Sequence, residues 1–137
     1  MSNFIYGKAK ELILNGDLDI PNSDIRVLFV KASYSPNSTS DQYVSDINSS
    51  SISQRSSQLQ NVTNQLGVID ADDILNLVYN GQPFNAFVIY KNTGSDSTSN
   101  LIAYIDTSVG LPYAGSSEAL PLSIVWDNGQ NKIISIQ

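Results

Sequence analysis

The sequence predicts a mainly β protein, an antiparallel β-sandwich or barrel-like domain with a short N-terminal helix. Two observations favour it: short runs of β-branched and aromatic residues alternate with polar stretches, and those stretches are filled by Ser and Asn, which favour turns over helix interiors. Good helix formers are concentrated near the N-terminus. At 137 residues, the chain fits one β-rich structural domain over residues 1–137.

The first two elements are a helix and a strand. YGKAKELILN predicts a helix over residues 6–15, with Gly16 at the left-handed position that ends it. The spacing of its apolar residues gives a buried stripe of Ala9, Leu12 and Ile13. IRVLFVK predicts a strand over residues 25–31. Both faces of that strand are apolar, with Ile25, Val27 and Phe29 on one and Leu28 and Val30 on the other.

Residues 33–66 form a polar segment whose structure is harder to predict. SDQYVSDI fits one or two helical turns with Ser40 as the N-cap. The run NSSSISQRSSQLQNVTNQ has few large apolar residues, so it predicts either a loop leading to an edge strand over 55–62 or a partly disordered, flexible segment. Residues 64–67 form the turn out of it.

The second half contains the clearest strands. They are predicted over residues 75–79, 85–91, 101–106, 120–127 and 132–136. NTGSDSTSN, residues 92–100, is a polar hairpin loop, and DNGQN, residues 127–131, is a tight-turn signal. NAFVIYK and LIAYID are apolar on both faces, so the outer face of their sheet must be covered by the N-terminal helix or by another subunit.

Composition excludes most enzyme mechanisms. The chain has no Cys and no His, so it lacks thiolate nucleophiles, the Ser-His pair and the commonest transition-metal ligand. It also lacks the glycine-rich phosphate loops and the G-x-S-x-G elbow, so no cofactor is predicted. Its charge is −6 with scattered cations, which disfavours nucleic acid as a partner. No signal peptide or membrane span is predicted, and the chain is expected to be soluble and made in the cytoplasm.

The stretch GVIDADDILNL places Asp70, Asp72 and Asp73 within four positions. Closely spaced carboxylates can bind calcium, which makes these three residues weak candidates for a metal site. The glycine and distal Glu of a calcium loop are missing, so a strand–turn–strand junction is the favoured interpretation. A hydrolase with paired carboxylates is a third hypothesis, but neighbouring residues in an acidic loop give it little basis.

Aromatic residues raise the alternative of a carbohydrate-binding module for host-surface adhesion, in which a ring stacks on a sugar. Trp126 alternates with apolar residues and is predicted to belong to the core. Tyr34 and Tyr113 lie in loops and are the better candidates for stacking, although loop tyrosines also serve as interface residues and loop anchors.

Several segments in order carry a resemblance that spans nearly the whole chain. They are SNFIYGKAKELILNGDLDIPNSDIRVLFV, YVSDI, GVIDADDI, FVIYKNTGSDSTSNLIAYIDTSVGLP and WDNGQNKIISI. In combination they resemble a family of small virion proteins encoded in the structural gene clusters of tailed bacteriophages. The chain departs from that family's pattern in residues 48–66, which are richer in Ser, Asn and Gln.

The resemblance implies a non-enzymatic structural protein of the virion, made in the bacterial cytoplasm. Its expected place is a capsid decoration, a head fibre or a tail accessory component. The expected partners are major capsid or tail proteins and further copies of the chain, as a homodimer or homotrimer, since symmetric particles favour symmetric oligomers. The exposed loops 35–57 and 92–100 are the predicted contact regions. Interface candidates are Tyr34, Tyr43, Asn92, Thr93 and Tyr113.

Overall fold

The computed structural model describes residues 3–107, 111–115, 120–126 and 133–135, and within them the chain forms one α-helix and nine strands. The helix is α1 (Gly7–Leu14). The strands are β1 (Phe4–Ile5), β2 (Ile25–Val30), β3 (Ile52–Arg55), β4 (Val68–Ile69), β5 (Ile74–Tyr79), β6 (Ala86–Lys91), β7 (Leu101–Ile105), β8 (Leu120–Ile124) and β9 (Ile134–Ser135). The predicted mainly β fold with a short N-terminal helix is confirmed.

The strands form one main sheet and two small ribbons, all with antiparallel pairing. The main sheet has the order β1-β7-β6-β2-β3. β4 pairs with β9, and β5 pairs with β8. The ribbons pack against one face of the main sheet, which makes the architecture sandwich-like. β6 and β7 are joined by the predicted hairpin of residues 92–100. The predicted turn at residues 127–131 lies outside the described residues.

The end of α1 follows the sequence prediction. Gly16 adopts a φ of +76°, a conformation that costs glycine little because it has no Cβ. Its N–H donates to the carbonyl of Ile13 at 3.2 Å, and the N–H of Asp17 donates to that of Leu12 at 2.9 Å. These two bonds form a Schellman motif, which satisfies the last helical carbonyls and turns the chain toward β2.

Strand β2 contributes to two hydrophobic cores, as its alternation predicts. Ile25, Val27 and Phe29 belong to the first core, between the main sheet and the ribbons. Leu28 and Val30 belong to the second core, on the opposite face of the sheet. Both faces of β6 and β7 are buried in the same way, and the second core also holds Ala86, Val88, Tyr90, Leu101 and Tyr104.

The chain itself covers the second face of the main sheet. Tyr6, just before α1, and Ala9 within it are completely buried there. Val44 and Ile47, from the polar middle segment, complete the cover. The sequence left two ways to cover this face, the N-terminal helix or another subunit, and the structure shows the helix there. Val44 and Ile47 of the middle segment also cover it, which the sequence did not predict.

The middle segment contains a helical turn, as predicted, but with a different cap. A 3₁₀ turn spans Val44–Asp46, and its N-cap is Tyr43 rather than Ser40. The reason is the Asp46 carboxylate, which accepts the N–H groups of Gln42 and Tyr43 at 2.8 and 2.9 Å and so fixes the start of the turn there.

The strand predicted over residues 55–62 has different bounds in the structure. The edge strand is β3, three residues earlier, because a 3₁₀ turn over Ser49–Ser51 delivers Ile52 beside β2. Beyond β3 the backbone still follows β2, through N–H donation from Ser56 to Val27 and from Leu59 to Ile25. The predicted turn at residues 64–67 is confirmed by a 3₁₀ turn over Gln65–Gly67.

The outer edge of β3 is bonded to the end of β5 by two side chains, Gln54 from β3 and Asn80, the residue directly after β5. The Gln54 amide donates to the carbonyl of Val78 at 2.8 Å and accepts the N–H of Asn80 at 2.9 Å, in the manner of a neighbouring peptide group. Asn80 in turn donates to the carbonyl of Ser53 at 2.6 Å. These bonds link the main sheet to the end of β5 and occupy polar groups that would otherwise template pairing with another chain.

Glutamate in place of Gln54 is expected to lower the free energy of unfolding by about 1–2 kcal/mol. A carboxylate cannot donate to the Val78 carbonyl, which would instead face a second acceptor. Urea unfolding at neutral pH measures the effect. The control is Gln58→Glu, which makes the same charge change at an exposed glutamine. Equal stability of the two variants would contradict the role given to Gln54.

Candidate interaction surface

The acidic stretch forms the junction between β4 and β5. Asp70 makes a backbone bridge with Thr63. The Asp72 carboxylate accepts the side-chain N–H of Asn61 at 2.7 Å, and the Asp73 carboxylate accepts the backbone N–H of Trp126 at 2.9 Å. Within the described part of the chain, no three Asp or Glu side chains converge in a way that could hold a metal ion. This geometry is the strand–turn–strand junction that the sequence favoured.

Calcium is expected to leave the thermal stability of the protein unchanged. An ion that binds only the native state raises the melting temperature. Here the carboxylates of Asp72 and Asp73 accept hydrogen bonds from two different parts of the chain, so they do not form a shared calcium site. Melting curves recorded with calcium chloride and with a chelator should coincide. A rise of several degrees that Asp72→Asn abolishes would restore the metal-site hypothesis.

Tyr34 anchors its loop to the start of the helix. Its hydroxyl donates to the Asp41 carboxylate at 2.8 Å and lies 2.8 Å from the hydroxyl of Tyr6. Burial is the main cause that raises the pKa of both tyrosines. Asp41 also accepts the N–H of Asn37 at 2.9 Å. The half-buried ring is thus committed within the chain, as a loop anchor.

Tyr43 lies against the hairpin that carries Asn92 and Thr93, so the structure brings these three candidates to one end of the main sheet. Tyr43 makes a backbone bridge with Asn100 at the end of the hairpin. Asn92 donates to the Asp24 carboxylate at 3.0 Å and is half-buried. Thr93 is exposed, but its hydroxyl bonds within the hairpin.

Two arginine–aspartate pairs lie at this hairpin: one includes Asp96 of the hairpin, and the other contacts it through the bond from Asn92 to Asp24. Arg55 on β3 makes two 2.7 Å bonds to Asp96 at the hairpin tip. Arg26 on β2 pairs in the same two-bond manner with Asp24, at 2.9 and 3.0 Å. The hydrogen bonds from Arg55 lower the pKa of Asp96, and those from Arg26 lower the pKa of Asp24. The hairpin is therefore bonded to the main sheet at its tip, through Asp96, and at its base, through Asn92.

Acid is expected to remove the contribution of these pairs. Because the folded-state pKa of Asp96 lies below its unfolded value, near 4, the stabilisation is present above that value and is lost as the pH falls through the folded pKa. Asp96→Asn should flatten the loss of melting temperature between about pH 5 and 2. At neutral pH it should cost less than about 1 kcal/mol, because both partners are partly exposed. An acid slope of Asp96→Asn equal to that of the wild type would contradict this role of the Arg55–Asp96 pair.

The aromatic side chains are buried or half-buried. Tyr113 packs on Phe84 and Tyr79, with ring centroids 5.2 and 5.9 Å apart. Trp126 belongs to the first core, as predicted, and its indole N–H donates to the carbonyl of Asp72 at 3.1 Å. Every Phe, Tyr and Trp of the chain lies within the described residues and is buried or half-buried. Sugar stacking needs an exposed ring, so the carbohydrate-binding alternative gains no support.

An exposed apolar face lies instead on the ribbon of β5 and β8. Leu75, Val78 and Val125, which directly follows β8, are 65%, 75% and 63% exposed. Val78 lies opposite Pro121, which is also exposed. The other side of the same ribbon contributes Ile124 and, more peripherally, Ile74, Leu77 and Leu122 to the first core. We call the face formed by Leu75, Val78, Pro121 and Val125 the ribbon face.

A β-bulge determines which side chains of β5 belong to the ribbon face. Between the pairs Ile74–Ile124 and Leu77–Leu122, β5 has two residues where β8 has one. Asn76 adopts a φ of +56°, and its N–H donates to the Ser123 hydroxyl at 3.1 Å. The bulge turns Ile74 and Leu77 inward together and leaves Leu75 outward.

The sequence predictions missed the ribbon face. Apolar residues on both faces of a strand were the sign of a contact surface, and ILNLVY and LPLSIVW have them. The prediction considered only NAFVIYK and LIAYID, which have them too. Those two strands are covered on both sides by the chain itself, whereas the ribbon is covered on one side only. No helix in the described residues is long and apolar enough to cross a bilayer.

Comparison with known proteins identifies no relative from which a function could be transferred. No protein-family model matches the chain, and no curated protein matches it.

Proposed function

We propose that the chain is a non-enzymatic structural protein of a tailed-bacteriophage particle, a capsid decoration, head-fibre or tail accessory component that acts through protein–protein contacts. The observation that carries this proposal is the ribbon face, where Leu75 and Val78 on β5 and Val125 directly after β8 are each more than half exposed. Such patches on a small domain mark interaction surfaces. The sequence resemblance to small virion proteins gives the particle as the setting.

The chemistry of the chain supports a contact role. A chain without His or Cys lacks the nucleophile systems that most hydrolases use. At the strand junction, Asp70 pairs through its backbone, and the carboxylates of Asp72 and Asp73 accept hydrogen bonds. Partners are proposed to be major capsid or tail proteins, with the virion as the location. We also propose self-association, and its only support is the symmetry of such particles. The apolar faces of β6 and β7, which first suggested a subunit contact, are covered by the chain itself.

Mass spectrometry of purified particles tests the proposal. The chain should be present in many copies per particle after density-gradient purification and protease treatment, while an abundant host cytoplasmic protein is depleted. Cryo-electron microscopy of the same particles then distinguishes head from tail. Absence of the chain from mature particles would refute the proposed function.

A further inference from the structure

We infer that the ribbon face binds a basic protein surface, one in which Lys or Arg residues flank an apolar patch, on a protein other than a second copy of this chain. The inference rests on the proposed contact function and adds the chemistry of the partner. It follows from three observations: the exposed aliphatic side chains, the carboxylates beside them, and the distribution of cations along the chain.

The aliphatic side chains form the centre of the site. Leu75 and Val78 project from β5, and Val125 directly follows the neighbouring strand β8. Their strands are fixed by cross-strand pairing and by the packing of their inner side chains in the first core. The partner therefore meets a preformed surface and does not need to order a loop, which lowers the entropic cost of binding.

Two carboxylates lie at one end of the ribbon face. Asp72 and Asp73 are exposed and immediately precede β5. The bond from the Trp126 N–H to Asp73 places that carboxylate beside Val125. The ion pairs of the described residues join Lys8 to Glu11, Arg26 to Asp24 and Arg55 to Asp96, so within this part of the chain neither Asp72 nor Asp73 is paired with a cation.

Within the described residues, the cations lie on α1 and on or directly after strands of the main sheet, and none lies on β5 or β8. Residues 56–137 contain seven acidic residues but only two basic ones, Lys91 and Lys132. Lys91 ends β6 in the main sheet, next to Ile25. A second copy that docked through the same face would bring its own Asp72 and Asp73 to the carboxylates of the first. Opposite charge favours docking and like charge opposes it, so the surface selects a basic partner.

A pair of immobilised peptides provides the probe. One alternates Arg with Leu, and the other alternates Glu with Leu. In biolayer interferometry at low salt, the wild-type protein should bind the Arg-Leu peptide at least about tenfold more tightly than the Glu-Leu peptide, and added salt should weaken this binding.

Two variants locate the binding to the ribbon face. Leu75→Ser/Val78→Ser should weaken binding to the Arg-Leu peptide by about tenfold or more, whereas Leu14→Ser, at a leucine 86% exposed on α1, should not. Asp72→Asn/Asp73→Asn should weaken it by about threefold to tenfold and reduce its salt dependence. Asn keeps an acceptor oxygen at both positions, so the fold is preserved. Asp17→Asn/Asp19→Asn makes the same change of net charge away from the face and should have little effect.

Unchanged binding in either ribbon-face variant would overturn the inference. So would sedimentation of the wild type as a dimer that Leu75→Ser/Val78→Ser dissociates, because the occupant would then be a second copy. These results are independent of the particle analysis. Presence in virions without peptide binding refutes only the inferred partner chemistry, and peptide binding without presence in virions refutes only the virion role.

Discussion

Alanine in place of Leu28 is expected to lower the free energy of unfolding by about 3 kcal/mol at any protein concentration. Leu28 is fully buried in the second core, where it lies opposite Val88 of β6. Removing its isobutyl group loses the transfer free energy of the buried carbons and leaves a cavity that the packed sheet cannot close.

Measuring the unfolding midpoint at several protein concentrations tests whether the second face of the main sheet is covered by the same chain or by another subunit. A face covered by another subunit would give a melting temperature that rises with protein concentration. The structure has that face covered by Tyr6, Ala9, Val44 and Ile47 of the same chain. In urea and thermal unfolding, the lowering of the midpoint by Leu28→Ala should therefore be the same over a hundredfold range of protein concentration. Leu14→Ala, at an exposed site, should change stability by less than about 0.5 kcal/mol.

Alanine in place of Gly115 is expected to cost about 2–4 kcal/mol, the next largest effect. Gly115 has a φ of +92°, a conformation that strains any residue with a Cβ. A Cβ there would also lie 2.9 Å from the carbonyl oxygen of Gly81 and 3.1 Å from the ring of Pro83. Both neighbours belong to the connection between β5 and β6, so relief of the contact requires that backbone to move.

Gly94 is the matched control for this substitution. Its φ of +91° is nearly the same, but no atom lies within 4 Å of the position of a Cβ. Gly94→Ala should therefore show only the backbone strain, about 1–2 kcal/mol. Urea unfolding of the two variants separates the two costs. If Gly115→Ala were no less stable than Gly94→Ala, the close approach of the two connections would be disproved.

The elements that could be predicted from sequence are those whose cause is local. The strand Ile25–Val30 is built from β-branched and aromatic residues, and its alternation assigns each side chain to the correct core. Gly16 ends α1 because the left-handed turn needs a glycine at that residue. The acidic junction also follows from neighbouring residues, two short apolar strands separated by a run of turn formers.

The elements that were missed depend on contacts distant in sequence. The segment over residues 48–66 is polar, yet Ser56 is buried because its hydroxyl accepts the N–H of Val27, and Leu59 is buried beside β2. The ribbon face depends on the register of β5 against β8, which the bulge at Asn76 shifts by one residue. A one-residue shift reverses which side chains face outward, and periodicity within a single strand cannot reveal it.

The division of β2 between two cores has a consequence for how the molecule unfolds. Its side chains enter the two cores alternately, so neither core can open without disturbing the strand that the other requires. The covering loop, α1 and the ribbons therefore cannot melt as separate layers; they form one cooperative unit whose last protected amides lie in β2 and β6.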